Sequence, residues 1–219
     1  MLLANELKRL SIEVKRLNSG ASEINKKCVL IGAGGHASVV MQLCHDLGYQ
    51  LAAISPGTQQ EIKIDLTGIT CISDCDISKK FRNKNVFLVN GIGATLGSSR
   101  RFSIFKHFKE LDYQFLTLVH EFCFVSKTST LGEGVQIMAG AIVQNHCLIG
   151  HNTIINTRAS VDHGAKIGAH CHIAPGAIIC GDVEIGENCF IGAGAIIIEG
   201  TKLASGSVIR AGALIHGTQ

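Results

Sequence analysis

Histidines crowd one stretch of this chain: His146, His151, His163, His170 and His172. A neutral imidazole takes up a proton near neutral pH, because its ordinary pKa is about 6.5, and several imidazoles together can ligate a metal. A histidine in a polar turn is more often a solvated side chain, so position must separate a working one from a bystander. If this stretch coils with eighteen residues per turn, as the repeat described below dictates, His163 lies over Asn145 and under Gly181. Gly181 takes a side chain away from the layer above the imidazole, which leaves space and a reachable backbone N–H. Asp162 adjoins His163 and is a candidate to orient it, although neighbours in a strand point to opposite faces. His163 with Asp162 is the candidate catalytic pair, suited to drawing a proton from an attacking amine or hydroxyl.

A second constellation is Gly32-Ala33-Gly34-Gly35-His36, which follows the apolar run Cys28 to Ile31. Backbone N–H groups at the start of a helix can hold a phosphate or a sugar hydroxyl. The spacing misses GxGxxG, and Ser55-Pro56 stands where a second-strand acid for a ribose would be, so a nicotinamide dinucleotide site is disfavoured. A tight turn needed only for packing is the plainer alternative.

These residues need elements to position them. Cys28 to Ile31 reads as a strand, Ala37 to Gly48 as a helix with Val39, Val40, Leu43, Cys44 and Leu47 on its apolar face, and Leu51 to Ile54 as a second strand. Val86 to Val89 is a further strand that ends in Asn90-Gly91-Ile92-Gly93, followed by a helix over Arg100 to Glu110 and a strand over Phe115 to Val119. Residues 27–120 form a small Rossmann-like α/β domain on this reading. Ahead of it, residues 1–26 read as an amphipathic helix (Leu7, Leu10, Val14, Leu17) and a polar linker; its many charges exclude a membrane span.

From Val125 the period changes. Val125, Leu131, Ile137, Val143 and every sixth residue onward to Ile215 are aliphatic, and the fourth residue after each is small. Three hexads make one eighteen-residue turn of a left-handed parallel β-helix, with the aliphatic residue inside and the small one at the bend. Gly, Asn or Asp usually precedes the small residue, as at Gly140, Asn152, Gly164 and Asp182, and these types tolerate the positive φ of a corner. Residues 121–219 thus form an all-β domain of about five coils, stacked at ~4.8 Å. Cys147, Cys171 and Cys189 fall on the interior small position and read as packing thiols. An open solenoid has apolar walls and bare strand ends, so oligomerisation through the walls is expected.

Composition narrows the partners. The net charge is +3 with no basic stripe, which excludes nucleic acid. Nine cysteines without a CxxC pair, and no signal peptide, point to a reducing cytoplasm.

The run Asn156-Thr157-Arg158-Ala159-Ser160-Val161-Asp162-His163, then His172-Ile173-Ala174-Pro175-Gly176, resembles the signature of bacterial sialic-acid O-acetyltransferases and UDP-4-amino-sugar N-acetyltransferases. The resemblance covers residues 27–219 and includes Val29 to His36. It implies a homotrimer with active sites between subunits, acetyl-CoA as acyl donor, no metal, and the residue matching His163 as general base. It further implies that His172, Gly181, Ala193 and Ala211 meet the acyl-CoA. Gly34, Gly35, His36, Ala37, Gly91, Gly93 and Asn156 are implied to meet a nucleotide-sugar or nonulosonic-acid acceptor. The chain departs from the pattern at Gly164, where the family often has an acid, at Ser55-Pro56, where many members carry Asp, and at its His216-Gly217-Thr218-Gln219 ending. Two other readings stand beside acyl transfer. His146 and His151 invite a γ-class carbonic-anhydrase-like metal site, though a third ligand at matching coil spacing is missing upstream; the departures invite a non-catalytic assembly subunit.

Overall fold

The computed structural model describes residues 27–57, 65, 67–81, 86–94 and 99–217. The helix and linker expected over residues 1–26 lie outside the described residues. What is described falls into two compact units, one ending at Leu116 and the other beginning at Thr117.

The first unit contains strands β1 (Lys27–Ile31), β2 (Gln50–Ser55) and β3 (Phe87–Asn90) and helices α1 (Gly35–Asp46), α2 (Asp74–Lys80) and α3 (Arg100–Glu110). The three strands are parallel in the order β2-β1-β3. Central β1 is buried on both faces from Cys28 to Ile31, which is why it reads as an unbroken apolar run rather than an alternating one. Val29 and Ile31 pack with Ile77, Leu88, Phe105 and Phe108. Helix α1 buries Ala37, Val40, Leu43 and Cys44. Val39, expected on that face, is 52% exposed. Consecutive helical residues are about 100° apart, and only Val40 of the pair falls in the contact stripe.

Two elements differ from the sequence reading. Helix α2 has one buried apolar residue, Ile77, too few for a periodic signal. Its first turn is held instead by polar bonds, Ser73 Oγ to Asp76 at 2.6 Å and Lys79 Nζ to Asp76 at 2.7 Å. The segment Phe115 to Val119 is not one strand: Phe115 bridges to Leu88 in the first sheet, whereas Leu118–Val119 pairs with Gln136–Ile137 and opens the solenoid. An apolar run satisfies either sheet, and only the partners decide between them.

The second unit is a left-handed parallel β-helix with three walls of six, six and five strands. Each strand pairs with the one a full coil later, as in Ile154 with His172, Ser160 with Ile178 and Lys166 with Glu184. Ile137, Ile155, Ile173 and Ile191 stack inside one wall, and Val143, Val161, Ile179 and Ile197 inside the next; all are fully buried. Ala159, Ala165, Ala177 and Ala195 fill the bends. Cys147 and Cys171 are part of this interior, with their thiols donating to the carbonyls of Asp162 and Gly186 at 3.0 Å. Burial pushes the Cys147 thiol above its ordinary pKa, which keeps it protonated.

The corners take left-handed backbone at Asn152, Asp182, Asn188 and the expected glycines, and also at His146 (φ 62), Arg158 (φ 56) and His170 (φ 60). The ladder on either side imposes this conformation on residues that seldom adopt it alone. A different demand falls on Gly150, Gly168 and Gly186. A Cβ on Gly168 would stand 2.6 Å from the Gly186 carbonyl carbon, and one on Gly150 would stand 2.4 Å from the Ala169 nitrogen. These glycines permit backbone of successive coils to touch.

The outer faces of the walls differ. One carries Phe124, Ile142, Ile178 and Leu214, of which Phe124 is 52% and Leu214 62% exposed. Another carries a charge ladder in which Glu184 accepts from Lys166 at 3.0 Å and faces Lys202 at 3.3 Å.

Gly168→Ala is expected to destabilise the protein by about 1–3 kcal/mol, since rigid backbone must give way. Gly35→Ala, where a Cβ meets nothing within 4 Å, is expected to cost nothing measurable. Thermal unfolding of the two variants checks this, and equal melting temperatures would refute the close-contact account.

Candidate active site

The corner after the strand Ser160–Val161 presents His163. Its place is set by the coils on either side: the Gly164 N–H donates to Asn145 O at 3.0 Å, and the Asp182 N–H donates to His163 O at 2.9 Å. The imidazole lies against Gly181. A Cβ there would fall 2.6 Å from Cε1, 3.0 Å from Nε2 and 3.1 Å from Nδ1, so the ring occupies the space that a side chain would need. Beneath, Asn145 Oδ1 accepts from Ser126 Oγ at 2.5 Å. Asp162 is tied into the corner by its backbone, its N–H donating to Ile179 O at 2.8 Å and its carbonyl receiving the Cys147 thiol.

A second cluster sits on a neighbouring wall. Asn156 Nδ2 donates to His172 Nε2 at 3.0 Å, while Asn156 Oδ1 accepts the Thr157 N–H at 2.8 Å. The Thr157 contact fixes which way the amide faces, so His172 Nε2 is the acceptor and the ring is neutral with its proton on Nδ1. His172 is buried and stands edge-on to Phe190, with centroids 5.1 Å apart and an 81° interplanar angle. Ala193 and Ala211 are one coil apart on an exposed corner, linked by the Gly212 N–H to Ala193 O at 2.8 Å.

The other histidines of this stretch are held by local contacts or at corners. His151 Nδ1 accepts the Glu133 N–H at 3.1 Å, His170 Nδ1 meets Asn152 Nδ2 at 3.0 Å, and His146 is a left-handed corner residue. Among the described residues, no group of three or more His, Cys, Asp or Glu is placed to hold a metal.

In the first unit the two glycine turns meet. Gly32, at φ 111, is backed by Gly91, and a Cβ there would be 3.1 Å from the Gly91 carbonyl. Gly91 abuts Ala37, and Gly93 abuts His36. Gly34 precedes α1 as its cap without a side-chain hydrogen bond, and no acid lies in the first turn of that helix. Gly34, Gly35, His36, Ala37, Gly91 and Gly93 thus line the carboxyl ends of β1 and β3, where parallel sheets bind ligands, with helix amides available for an anionic or hydroxyl group. Arg101 braces the second turn, its Nη1 donating to Asn90 O at 2.9 Å and Ile92 O at 2.8 Å. Burial pulls its pKa down to about 9.

Residues 27–105 match the family described as PglD N-terminal domain, and residues 146–181 and 182–217 match the bacterial transferase hexapeptide (six repeats). The acetyltransferase domain of PglB from Neisseria gonorrhoeae FA1090 is 32% identical, over 87% of this chain and 91% of that one, with a TM-score of 0.76. This chain belongs to the PglD-type hexapeptide-repeat acetyltransferases. The same PglB domain solved with acetyl coenzyme A is 30% identical over 89% of this chain and 94% of that one, with a TM-score of 0.78. PerB from Caulobacter crescentus, solved with CoA and GDP-perosamine, is 29% identical over 88% of this chain and 91% of that one, with a TM-score of 0.78. Among curated protein sequences none matches.

Membership in this acetyltransferase family favours acyl transfer over the metalloenzyme and assembly-subunit readings. It also gives meaning to contacts that residue types alone did not reveal. The pairing of Asn156 with His172, two residues short of a full coil, and the bracing by Arg101 left no motif to find. Ser55, where the resembled pattern carries an acid, is buried and donates to the carboxylate of Asp74, whose other oxygen lies 3.7 Å from Arg100 Nη2. An acid therefore stands at the end of β2 after all, contributed by α2.

Gly181→Ala is expected to lower acetyl transfer by about tenfold to a hundredfold by displacing the His163 ring. Gly181 has no left-handed strain and its neighbour is an exposed side chain, so melting temperature should fall less than in Gly168→Ala. Equal losses of stability in the two variants would mark Gly181 as structural.

Proposed function

We propose that this acyltransferase moves the acetyl group of acetyl-CoA onto a free amino group, or a hydroxyl, of a nucleotide-activated or nonulosonic-acid sugar, with His163 as general base. The observation that carries this reading is the His163 imidazole lying on the side-chain-free Gly181, in a chain 30% identical to a domain solved with acetyl coenzyme A. In this scheme the acceptor nitrogen or oxygen attacks the thioester carbonyl while the imidazole takes its proton. A backbone N–H such as that of Gly181 supports the oxyanion, and the imidazolium returns the proton to the departing CoA sulfur. No acyl-enzyme is needed. His172, held neutral by Asn156, presents a fixed Nδ1–H, and with Gly181, Ala193 and Ala211 it is assigned to the acyl-CoA. The glycine turns of the first unit, with His36, are assigned to the acceptor, and an amino sugar is favoured because a solved neighbour is the perosamine N-acetyltransferase of Caulobacter crescentus, held with CoA and GDP-perosamine.

The assembly proposed is a homotrimer. The exposed apolar wall of Phe124, Ile142, Ile178 and Leu214 supports it, since a face of that kind is covered in most stable proteins. A cytoplasmic location is supported by the nine free cysteines and by use of acetyl-CoA. Among the described residues no helix is long and apolar enough to cross a membrane.

The test is a screen of UDP- and GDP-linked amino sugars, CMP-sialic acid and free nonulosonic acids with acetyl-CoA, reading thiol release. With the best acceptor, His163→Ala is expected to lower kcat by ~10²–10⁴ while trimer and CoA binding persist. His172→Ala is expected chiefly to raise KM for acetyl-CoA. Retention of more than about a tenth of kcat in His163→Ala, against that range, would move the search for the base to His36.

For the assembly, light scattering is expected to return a trimer that Ile178→Asp and Leu214→Asp weaken. A monomeric parent protein at micromolar concentration would rule it out.

A further inference from the structure

We propose that Arg158 is a specificity residue that takes an oxyanion of the acceptor, a phosphate or a carboxylate, in the coil that presents His163. The inference rests on the reading of His163 as general base and of an anionic sugar as acceptor.

Arg158 stands at the corner between the strand Ile154–Ile155 and the strand Ser160–Val161. The same corner carries Gly140 in the coil below and Gly176, Gly194 and Gly212 in the three coils above, all with left-handed backbone. Arg158 shares that backbone, at φ 56, although a Cβ makes it unfavourable. A long side chain is thus kept at one level of a glycine column. Packing does not account for it, since Arg158 is exposed and its guanidinium makes no ion pair or hydrogen bond among the described residues. Its stem runs over Gly140, where a Cβ would stand 3.1 Å from Arg158 Cγ. Arg158 borders an open hollow of about 580 Å³ lined also by Phe122, Ala139, Thr157 and Pro175, and no other lining residue is charged. A cation set among apolar walls concentrates its field in such a hollow.

Position decides which anion it meets. Above Arg158 the corner continues through Pro175, Ala193 and Ala211, joined by the Gly194 N–H to Pro175 O at 3.0 Å and the Gly212 N–H to Ala193 O at 2.8 Å. A Cβ on Gly176, Gly194 or Gly212 would meet nothing within 4 Å, so the column is an unobstructed track, and Ala193 and Ala211 are assigned to the acyl-CoA. With the thioester at the level of His163, the phosphates of CoA lie at the far end of the pantetheine arm, higher on that track. An anion at the level of Arg158 therefore belongs to the acceptor. A planar guanidinium takes phosphate or carboxylate through two parallel N–H donors.

Arg158→Gly separates binding from folding, because glycine is the residue that this corner favours. UDP, GDP, CMP and N-acetylneuraminic acid serve as acceptor-side probes and coenzyme A as the donor-side probe, each titrated calorimetrically into the full-length protein and its variants. The acceptor-side probe that binds the parent protein most tightly is expected to lose about tenfold to a hundredfold in affinity in Arg158→Gly, as removal of a charge-assisted contact does. Coenzyme A affinity should be unchanged, and the melting temperature equal or higher. Arg158→Lys should keep part of the affinity, whereas the uncharged Arg158→Gln should not. A loss confined to the nucleotides identifies a phosphate and one confined to N-acetylneuraminic acid a carboxylate; either supports the proposal.

Equal affinity of that probe for the parent protein and Arg158→Gly would overturn the role of Arg158 and leave the general-base reading, tested by His163→Ala, standing. A loss of coenzyme A affinity alone would overturn the assignment to the acceptor. A melting temperature lowered in Arg158→Gly, with every affinity unchanged, would mark the side chain as structural. Failure of all four acceptor-side probes to bind the parent protein would overturn the reading of an anionic acceptor beneath the proposal.

Discussion

The hydrogen-bond ladder of the solenoid places every residue over the one eighteen positions earlier, and the candidate corner at His163 depends on that register. Each coil is bonded to the next along all three walls, as by Ile142 N–H to Ala159 O, Lys166 N–H to Val183 O and Ile154 N–H to Cys171 O, all at 2.8–2.9 Å. Parallel pairing of this kind admits no slippage, because a shift by one residue would turn the whole aliphatic column outward. A long-range neighbourhood thus follows from simple addition along the chain. His163 meets Gly181 and Gly164 meets Asp182 for the same reason that Val161 meets Ile179.

Rigidity of this sort has a cost at the bends. His146, Arg158 and His170 are held in left-handed backbone, which for ordinary residues costs ~1–2 kcal/mol each. The interior columns of isoleucine and valine offset it by burying apolar surface continuously from coil to coil. In return, side chains at successive corners keep fixed relations, which the proposed proton transfer and thioester attack would use. The first unit meets a different requirement. Its parallel strands deliver two glycine turns to the carboxyl ends of β1 and β3, where a side chain on Gly32 would crowd the Gly91 carbonyl.

Charge placement is where this chain departs most from the pattern it resembles. Gly164 replaces an acid in sequence, yet a carboxylate occupies the same volume from the coil above. At the end of β2, Ser55 replaces an acid, yet Asp74 brings one there from α2, bonded to Ser55 and facing Arg100. In both places a carboxylate from another part of the chain stands beside the position. Such exchanges are invisible to position-by-position matching, since the donor residue lies eighteen or nineteen positions away.

The amino-acid sequence by itself determined the solenoid, because a six-residue period of aliphatic side chains has one way of burying them all, and the register follows from the period. It thereby determined that Gly181 lies on His163, and the glycine turn after β1 was legible from an apolar run ending in flexible residues. Only the tertiary structure decided the division of Phe115 to Val119 between two sheets, since both offer the same apolar partners. It alone turned Val39 to solvent, oriented the amide of Asn156 toward His172, and set the Asp182 carboxylate over Gly164. Those outcomes depend on side-chain direction and on the competition among hydrogen-bond partners, and a periodic pattern carries neither.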